Sequence, residues 1–284
     1  MVIGGGIFNH PYNDTEVINL RPETGASCHK PPNVKVDDVV TFIDGHVIVC
    51  CAQCYVYDNV LDQWNETFKF DKFRVSPAGV KLTEEEWWVL GGFAGGWMDT
   101  TEMCEIDRGY CRPHVYLIEE SYYPTAIKVN ESLIFVLNGK SGLPWLYHVN
   151  TAKFSRIPAY DGLDERKHLD ASGGVLKSFG KEYELVIAGG EGTNATDILN
   201  LETLKWRVGP ELPFEDLIGF QTVQYENTFI IVGGIVHGKS GDSVDTLIMF
   251  DIESDDWVIL DQRMEKTRGR CAAVLVPYDH IECN

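Results

Sequence analysis

Short apolar runs recur along the chain at a nearly constant interval, and each run stops at a pair of small residues. A strand that stops at two glycines ends where the backbone turns with positive φ, or where another segment approaches closely. The pattern predicts six copies of one strand-rich unit, whose anchors follow each other about 41 to 51 residues apart. These anchors are Gly5-Gly6, Cys50-Cys51, Gly91-Gly92, Asn138-Gly139, Gly189-Gly190 and Gly233-Gly234.

A second strand-like run follows most anchors and ends in Asp or Asn, with a Trp six residues further on in three copies. These pairs are Asp58 and Trp64, Asn200 and Trp206, and Asp251 and Trp257. Strand-rich repeats of this length are typical of β-propeller blades, small sheets that bury their faces only by stacking around an axis. We therefore expect an all-β fold in which residues 1–284 form one domain of six four-stranded blades.

The two ends of the chain are predicted to share one blade. Residues 1–6 have the pattern of a second strand with no first strand before it, and residues 270–277 have the pattern of a first strand with no second strand after it. We expect the C-terminal strand to pair with the N-terminal one, which would close the ring and leave no open sheet edge.

The glycine pairs, the Tyr-x-Asp segment of residues 55–58 and the spaced Trp residues resemble the Kelch-repeat β-propellers over essentially the whole chain. The first-strand pattern of that family, Arg-x-x-His-Ala, survives loosely at residues 166–171 and 268–273. Blades one, three and four lack the usual Trp, and blade two has a Cys pair in place of the glycines. A WD-type propeller is the alternative, because Gly45-His46 resembles its signature, but no Trp-Asp dipeptide occurs. The resemblance implies a six-bladed Kelch-type propeller.

Composition and charge restrict the possible partners. The 284 residues are 44% apolar, enough for a large core, and no run of 18 apolar residues predicts a membrane span. The formal net charge of −19 argues against nucleic acid and anionic lipid as partners. The main interpretation of this negative charge is that it keeps the protein soluble. Binding of a basic partner is the alternative.

Four sequons and eight cysteines favour a secreted or extracellular protein. The sequons begin at Asn13, Asn65, Asn130 and Asn194, all at predicted strand ends or turns. Met1 leads directly into a predicted strand without a leader-like segment, so a cytoplasmic location is the alternative.

The cysteine spacing predicts three disulfide bonds. Cys104 and Cys111 flank a turn at 107–109, which would place them opposite each other in a hairpin. Cys28 is expected to pair with Cys50 or Cys54, and Cys271 with Cys283.

No enzyme signature is convincing, so we expect no catalytic residue, no cofactor and no metal. The single Cys-x-x-Cys motif at residues 51–54 lacks a second half. Galactose-oxidase-like proteins also use Kelch blades and hold copper with Tyr and His. Four of the eight histidines, at 148, 168, 237 and 280, are scattered over different repeats.

Binding is therefore the predicted function, through the variable loops between second and third strands. Trp97 and Trp145 are predicted to lie outside strands in Gly-rich loops, where an aromatic side chain can anchor a partner protein or a sugar ring. For both, the alternative is a Trp folded back over its own blade. Lys140, His237 and Lys239 are the predicted polar rim. A cytosolic Kelch adaptor, which recruits substrates or binds actin, and a copper oxidase are the alternative functions.

Overall fold

The computed structural model describes residues 2–4, 14–20, 28–33, 39–50, 53–157, 168–176, 183–237, 242–277 and 280. No helix among them is long and apolar enough to cross a membrane. Apart from a 3-10 turn at Val149–Thr151, the regular elements of these residues are strands. They are β1 (Val2–Gly4), β2 (Thr15–Val17), β3 (Val39–Ile43), β4 (His46–Cys50), β5 (Gln53–Asp58), β6 (Gln63–Lys69), β7 (Ala78–Lys81), β8 (Glu86–Leu90), β9 (Thr101–Glu105), β10 (Tyr110–Pro113), β11 (Thr125–Asn130), β12 (Leu133–Leu137), β13 (Pro144–His148), β14 (Lys153–Arg156), β15 (Ser172–Leu176), β16 (Glu184–Ala188), β17 (Thr196–Asn200), β18 (Lys205–Val208), β19 (Leu217–Ile218), β20 (Gln221–Tyr225), β21 (Thr228–Val232), β22 (Ile235–Val236), β23 (Asp242–Ser243), β24 (Thr246–Asp251), β25 (Asp256–Arg263) and β26 (Ala272–Val274).

Six blade-like antiparallel sheets repeat one strand order, as predicted. Sheets two to six have four strands each, β3–β6, β7–β10, β11–β14, β15–β18 and β20-β21-β24-β25. Sheet one joins the two chain ends in the order β26-β1-β2, with Val2 opposite Val274, which confirms the predicted pairing of the terminal strands. Its described residues form three strands. The short strands β19, β22 and β23 form a small additional sheet, so the predicted loop at 235–243 begins and ends as a hairpin.

Burial within each sheet follows the hydrophobic pattern of its strands. The second strands of sheets two to six are buried at every residue but the first, because both of their faces are covered by neighbouring sheets. Trp87 and Trp88, adjacent in β8, point to opposite faces and enter two different hydrophobic clusters. The fourth strands are mostly exposed and rich in polar residues, as protected sheet edges are.

The core lies in layers between the sheets. Six clusters of buried apolar residues each combine two sheets, namely one and two, two and three, three and four, four and five, five and six, and six and one. The first strands contact each other in the same order, β26 with β3, β3 with β7, β7 with β11, β11 with β15, β15 with β20, and β20 with β26. Each sheet therefore packs against two others.

Candidate functional site

Two kinds of connection meet at one end of every sheet, which we call the loop face. They are the loop from the second strand to the third and the linker from the fourth strand to the first strand of the next sheet. In an antiparallel sheet the first strand begins beside the point where the second strand ends, so both connections share that end. Of the predicted binding residues, Trp97, Lys140 and His237 belong to this face.

The glycine pairs at the ends of the second strands fix the loops to the linkers. In each of three pairs both glycines have positive φ, and the second N–H donates to a linker carbonyl of the next sheet. A Cβ on Gly233 would lie 2.2 Å from the carbonyl oxygen of Arg268, so both the turn and the close approach require glycine. The hydrogen bonds are Gly92 to Ser121 (2.9 Å), Gly190 to Leu217 (3.0 Å) and Gly234 to Arg268 (2.7 Å).

A buried charge pair recurs beneath the loop face. In three sheets a basic side chain four residues before the first strand contacts an acidic side chain at the second position of the third strand. All of these side chains are buried, so loss of one partner of an Arg–Glu pair would leave a charge alone in the interior. The pairs are Arg74–Glu102 (2.5 Å), His168–Asp197 (2.8 Å) and Arg268–Glu16 (2.6 Å).

Two other sheets have neither member of this pair. Sheet four has Ser121 and Trp145 in place of the basic and acidic residues, and sheet six has Leu217 and Leu247. In sheet two the third-strand position is Cys54, and residue 35, at the basic position, lies outside the described residues. Sequence reasoning identified the segments around His168 and Arg268 as a family-like pattern but missed their acidic partners.

Arg74 holds two connections of sheet three together. Its Nη1 donates to the carbonyls of Gly91 (2.8 Å) and Thr100 (3.0 Å), at the two ends of the loop. The carboxylate of Glu102 accepts the backbone N–H groups of Asp71 (2.6 Å) and Lys72 (3.1 Å), in the linker before β7. The buried pair thus fixes this linker and this loop in one arrangement.

Exposed apolar side chains cluster on the connections of sheets three and four. Their exposed fractions range from 38% to 66%, and we call the group the aromatic face: Phe73, Phe93, Trp97, Tyr116 and Ile118. Backbone hydrogen bonds join the segments that carry them. Val75 and Phe93 exchange two bonds of 2.9 Å, Ser121 donates to Met98 (2.9 Å), and Leu117 donates to Asp99 (2.7 Å). The aromatic face is therefore built on fixed backbone.

The structure brings two of the predicted residues together on this face. Lys140 Nζ lies 4.3 Å above the centre of the Trp97 ring and 3.7 Å from a carboxylate oxygen of Glu120. Trp97 is 44% exposed and lies outside the named strands, as predicted. An aromatic ring and a carboxylate thus surround one ammonium group.

A second cluster, missed by sequence reasoning, lies where the linkers converge. Arg270 donates from Nη2 to Asp170 (2.7 Å), and its guanidinium carbon lies 3.4 Å from the centre of the Tyr123 ring. All three residues have left-handed φ and precede a first strand by two positions, as Ser76 and Gly219 do. The five residues line one cleft of about 40 Å³. Burial raises the pKa of Asp170 to about 6, although Arg270 opposes the shift.

Tilted aromatic rings in contact connect this cleft with the aromatic face. The Tyr122 ring lies 3.7 Å from the Tyr123 ring and 5.7 Å from that of Phe93, measured between ring centres. The five cleft residues share one position in their repeats, two residues before a first strand. This shared position is the signal that would have marked them.

Trp145 differs from its prediction, whereas the predicted rim role of His237 stays a prediction. Trp145 lies inside β13, opposite Val136, and not in a loop. It is half-buried and lines a small cavity with Ser121, so it fills the space that the charge pair takes in other sheets. Among the described residues the contacts of His237 are with Asp216, at 3.5 Å between side chains. Lys239 lies outside the described residues.

The disulfide predictions have mixed outcomes. Cys104–Cys111 is confirmed, with the predicted hairpin register. Cys50 pairs with Cys54, because these residues face each other across the short β4–β5 connection, so the predicted bond from Cys28 to either of them is wrong. Cys28 is disulfide-bonded nonetheless.

The predicted pairing of Cys271 with Cys283 is also wrong. Cys271 is a free thiol buried in the cluster between sheets six and one, where burial raises its pKa to about 12. Cys283 lies outside the described residues.

The sequons occupy different environments. Asn130 is exposed at the end of β11 and accepts the N–H of Ser132 (2.9 Å), as predicted for a turn. Asn194 is in a loop and donates to Glu211 (3.1 Å). Asn65 lies within β6, which continues to Lys69, so its predicted place at a strand end is wrong. Asn13 lies outside the described residues.

The sequence matches no protein-family model, and no curated protein matches it. In the part of the chain that the structure describes, no three His, Cys, Asp or Glu side chains are grouped as a metal site would require. Function is therefore inferred from the geometry of the loop face.

Proposed function

We propose that the chain is a six-bladed Kelch-type β-propeller and a non-catalytic, secreted interaction module, which binds a partner protein or glycan through the aromatic face. One observation carries the proposal: large apolar side chains are exposed together on loops that a buried charge pair holds in place. Exposed apolar patches of this kind mark interaction sites, because water contact with them is unfavourable.

The packing of the sheets supports the propeller. Every sheet contacts two others, the order of these contacts returns to its starting sheet, and sheet one contains strands from both chain ends. Blades of a propeller have this relation, since each blade can bury its faces only against its two neighbours. The repeated glycine pairs and the Trp in fourth strands support the Kelch type. Trp257, for example, donates its indole N–H to Pro210 of the preceding linker (3.2 Å).

The disulfides and one sequon support secretion. Disulfide bonds such as Cys104–Cys111 are typical of proteins that fold in oxidising compartments. Asn130 presents an exposed side chain at a turn, where a glycan would be accommodated. Protein expressed in a secretory host should lose mass on glycosidase treatment. Before treatment, the Asn130→Gln variant should have a lower mass than the parent, because it lacks one glycan.

The binding test compares Trp97→Ser with Tyr110→Ser. Tyr110 is 39% exposed in the hairpin at the opposite end of the same sheet, so it is a matched aromatic control. Each full-length variant is presented to a random-peptide phage library and to a glycan array. Ligands that are lost with Trp97→Ser and kept with Tyr110→Ser support the proposal. Ligands that bind both variants and the parent equally contradict it.

A further inference from the structure

The aromatic face already holds a cation of its own chain. The ammonium group of Lys140 lies over the Trp97 ring and near the carboxylate of Glu120, at 4.3 and 3.7 Å. Among the aromatic side chains, Trp attracts a cation to its ring face most strongly. Glu120 is exposed, so this carboxylate is accessible to a second cation.

The charges around the aromatic face are predominantly negative. The connections that carry it contain four acidic residues outside the buried pair, Asp71, Asp99, Glu119 and Glu120. The exposed basic residues are Lys72 of the same connections and Lys140 of the neighbouring β12–β13 connection. The whole chain has a formal net charge of −19, so the local excess is reinforced by the surrounding field.

We propose that the aromatic face binds a cationic, apolar segment of a partner protein, and that Lys140 occupies the position a partner Lys or Arg takes on binding. This inference rests on the proposed function and specifies its partner. Apolar side chains of the segment would cover Phe73, Phe93 and Ile118, while its basic side chains would face the acidic residues. An acidic segment would meet like charge, which disfavours association.

Charge removal at Lys140 distinguishes a cationic partner from an anionic one by sign. With a cationic segment, Lys140→Gln removes a competing ammonium group and leaves both Trp97 and Glu120 available, so affinity rises. The Kd should fall about two- to five-fold, which corresponds to the free energy of a cation–π contact at an exposed site. With an anionic partner the same substitution removes an attraction, and affinity falls.

Two phage-displayed peptide libraries of equal apolar content provide the probe, one with Lys and Arg at its polar positions and the other with Asp and Glu. Full-length protein is the bait, and Trp97→Ser is used to recognise binders that depend on the face. We expect such binders from the basic library, with at least ten-fold weaker binding to Glu119→Lys/Glu120→Lys and tighter binding to Lys140→Gln. Their affinity should also fall as salt concentration rises.

Trp97-dependent binders from the acidic library, or weaker binding to Lys140→Gln, would overturn the inference while leaving the proposed function in place. Trp97-dependent binding to a glycan array, with no Trp97-dependent peptide from either library, would also overturn the inference and leave the proposed function in place. Absence of any Trp97-dependent ligand in all three formats would count against the proposed function itself. Circular dichroism and thermal unfolding of each variant establish that a lost ligand does not reflect a lost fold.

Discussion

Replacing the buried pair Arg74–Glu102 tests how the loop face is held in place. The variants are Arg74→Leu, Glu102→Leu and the double substitution. Sheet six supplies the precedent, because it folds with Leu217 and Leu247 at the equivalent positions, both fully buried. The double variant therefore copies an arrangement that this chain already contains.

The expected magnitudes follow from burial. Arg74 is 0% and Glu102 2% exposed, so either single substitution leaves one charge buried without its partner, at a cost of about 3–5 kcal/mol. The double substitution removes both charges and adds apolar volume. It loses the hydrogen bonds to the surrounding backbone, worth about 1 kcal/mol each. We expect the double variant to be more stable than either single variant.

Urea unfolding of the full chain, followed by tryptophan fluorescence and circular dichroism, measures these differences from the midpoints at constant slope. Lys81→Met is the control, since its ion pair with Glu84 (2.6 Å) is exposed to water and its loss should change stability little. The reasoning would be refuted if either single variant lost no more stability than this control. It would also be refuted if the stability lost by the double variant equalled the sum of the losses of the two single variants.

Three further predictions concern the glycine pair, one disulfide and the cleft. At Gly92 φ is +101° and a Cβ would lie 2.8 Å from a carbonyl oxygen, so Gly92→Ala should lower stability by about 2 kcal/mol or more. Gly96 has open space around it, so Gly96→Ala is the control and should not lower stability in the same urea unfolding experiment. Removing the Cys104–Cys111 bond with paired Ala substitutions should cost about 2.5 kcal/mol from loop entropy, and an unchanged urea midpoint would contradict this. Burial raises the pKa of Asp170 to about 6 from an unfolded value near 4, so its ionisation opposes folding. The stability of the parent relative to Asp170→Asn should therefore fall by roughly 2 kcal/mol as pH rises from 4 to 7, and a pH-independent difference would contradict the shift.

The sequence predicts the sheets well because their second strands have one repeated pattern. An apolar run buried on both faces must be covered by neighbouring sheets, and the glycine pair marks its end. The Cys104–Cys111 hairpin was predictable for a local reason, since a tight turn fixes the register of the two strands beside it.

Trp145 was misplaced because Gly142, Leu143 and Pro144 have the composition of a loop. Pro144 is in fact the first residue of β13, a position at which a strand tolerates the missing N–H. The charge pair was missed for a different reason. Arg74 and Glu102 are 28 residues apart, and their contact depends on where β7 and β9 begin.

The cleft could not be predicted from the pattern of any single repeat. Tyr123, Asp170 and Arg270 belong to three different linkers, and only the packing of sheets four, five and one brings these linkers together. The aromatic face was predictable in part, because Trp97 and Lys140 stand in adjacent loops of the repeat. Phe73, Phe93 and Ile118 carried no signal beyond their hydrophobicity.

The binding affinity of Trp97→Ser, measured against Tyr110→Ser with the same purified ligand, tests the central claim most directly. A buried aromatic anchor typically contributes 2 kcal/mol or more to an interface, so the Kd should rise by about 30-fold or more for Trp97→Ser. Tyr110→Ser should leave it unchanged, and both variants should unfold within a few degrees of the parent. Equal affinities for the two variants, or a large fall in the unfolding temperature of Trp97→Ser alone, would contradict a binding role for the aromatic face.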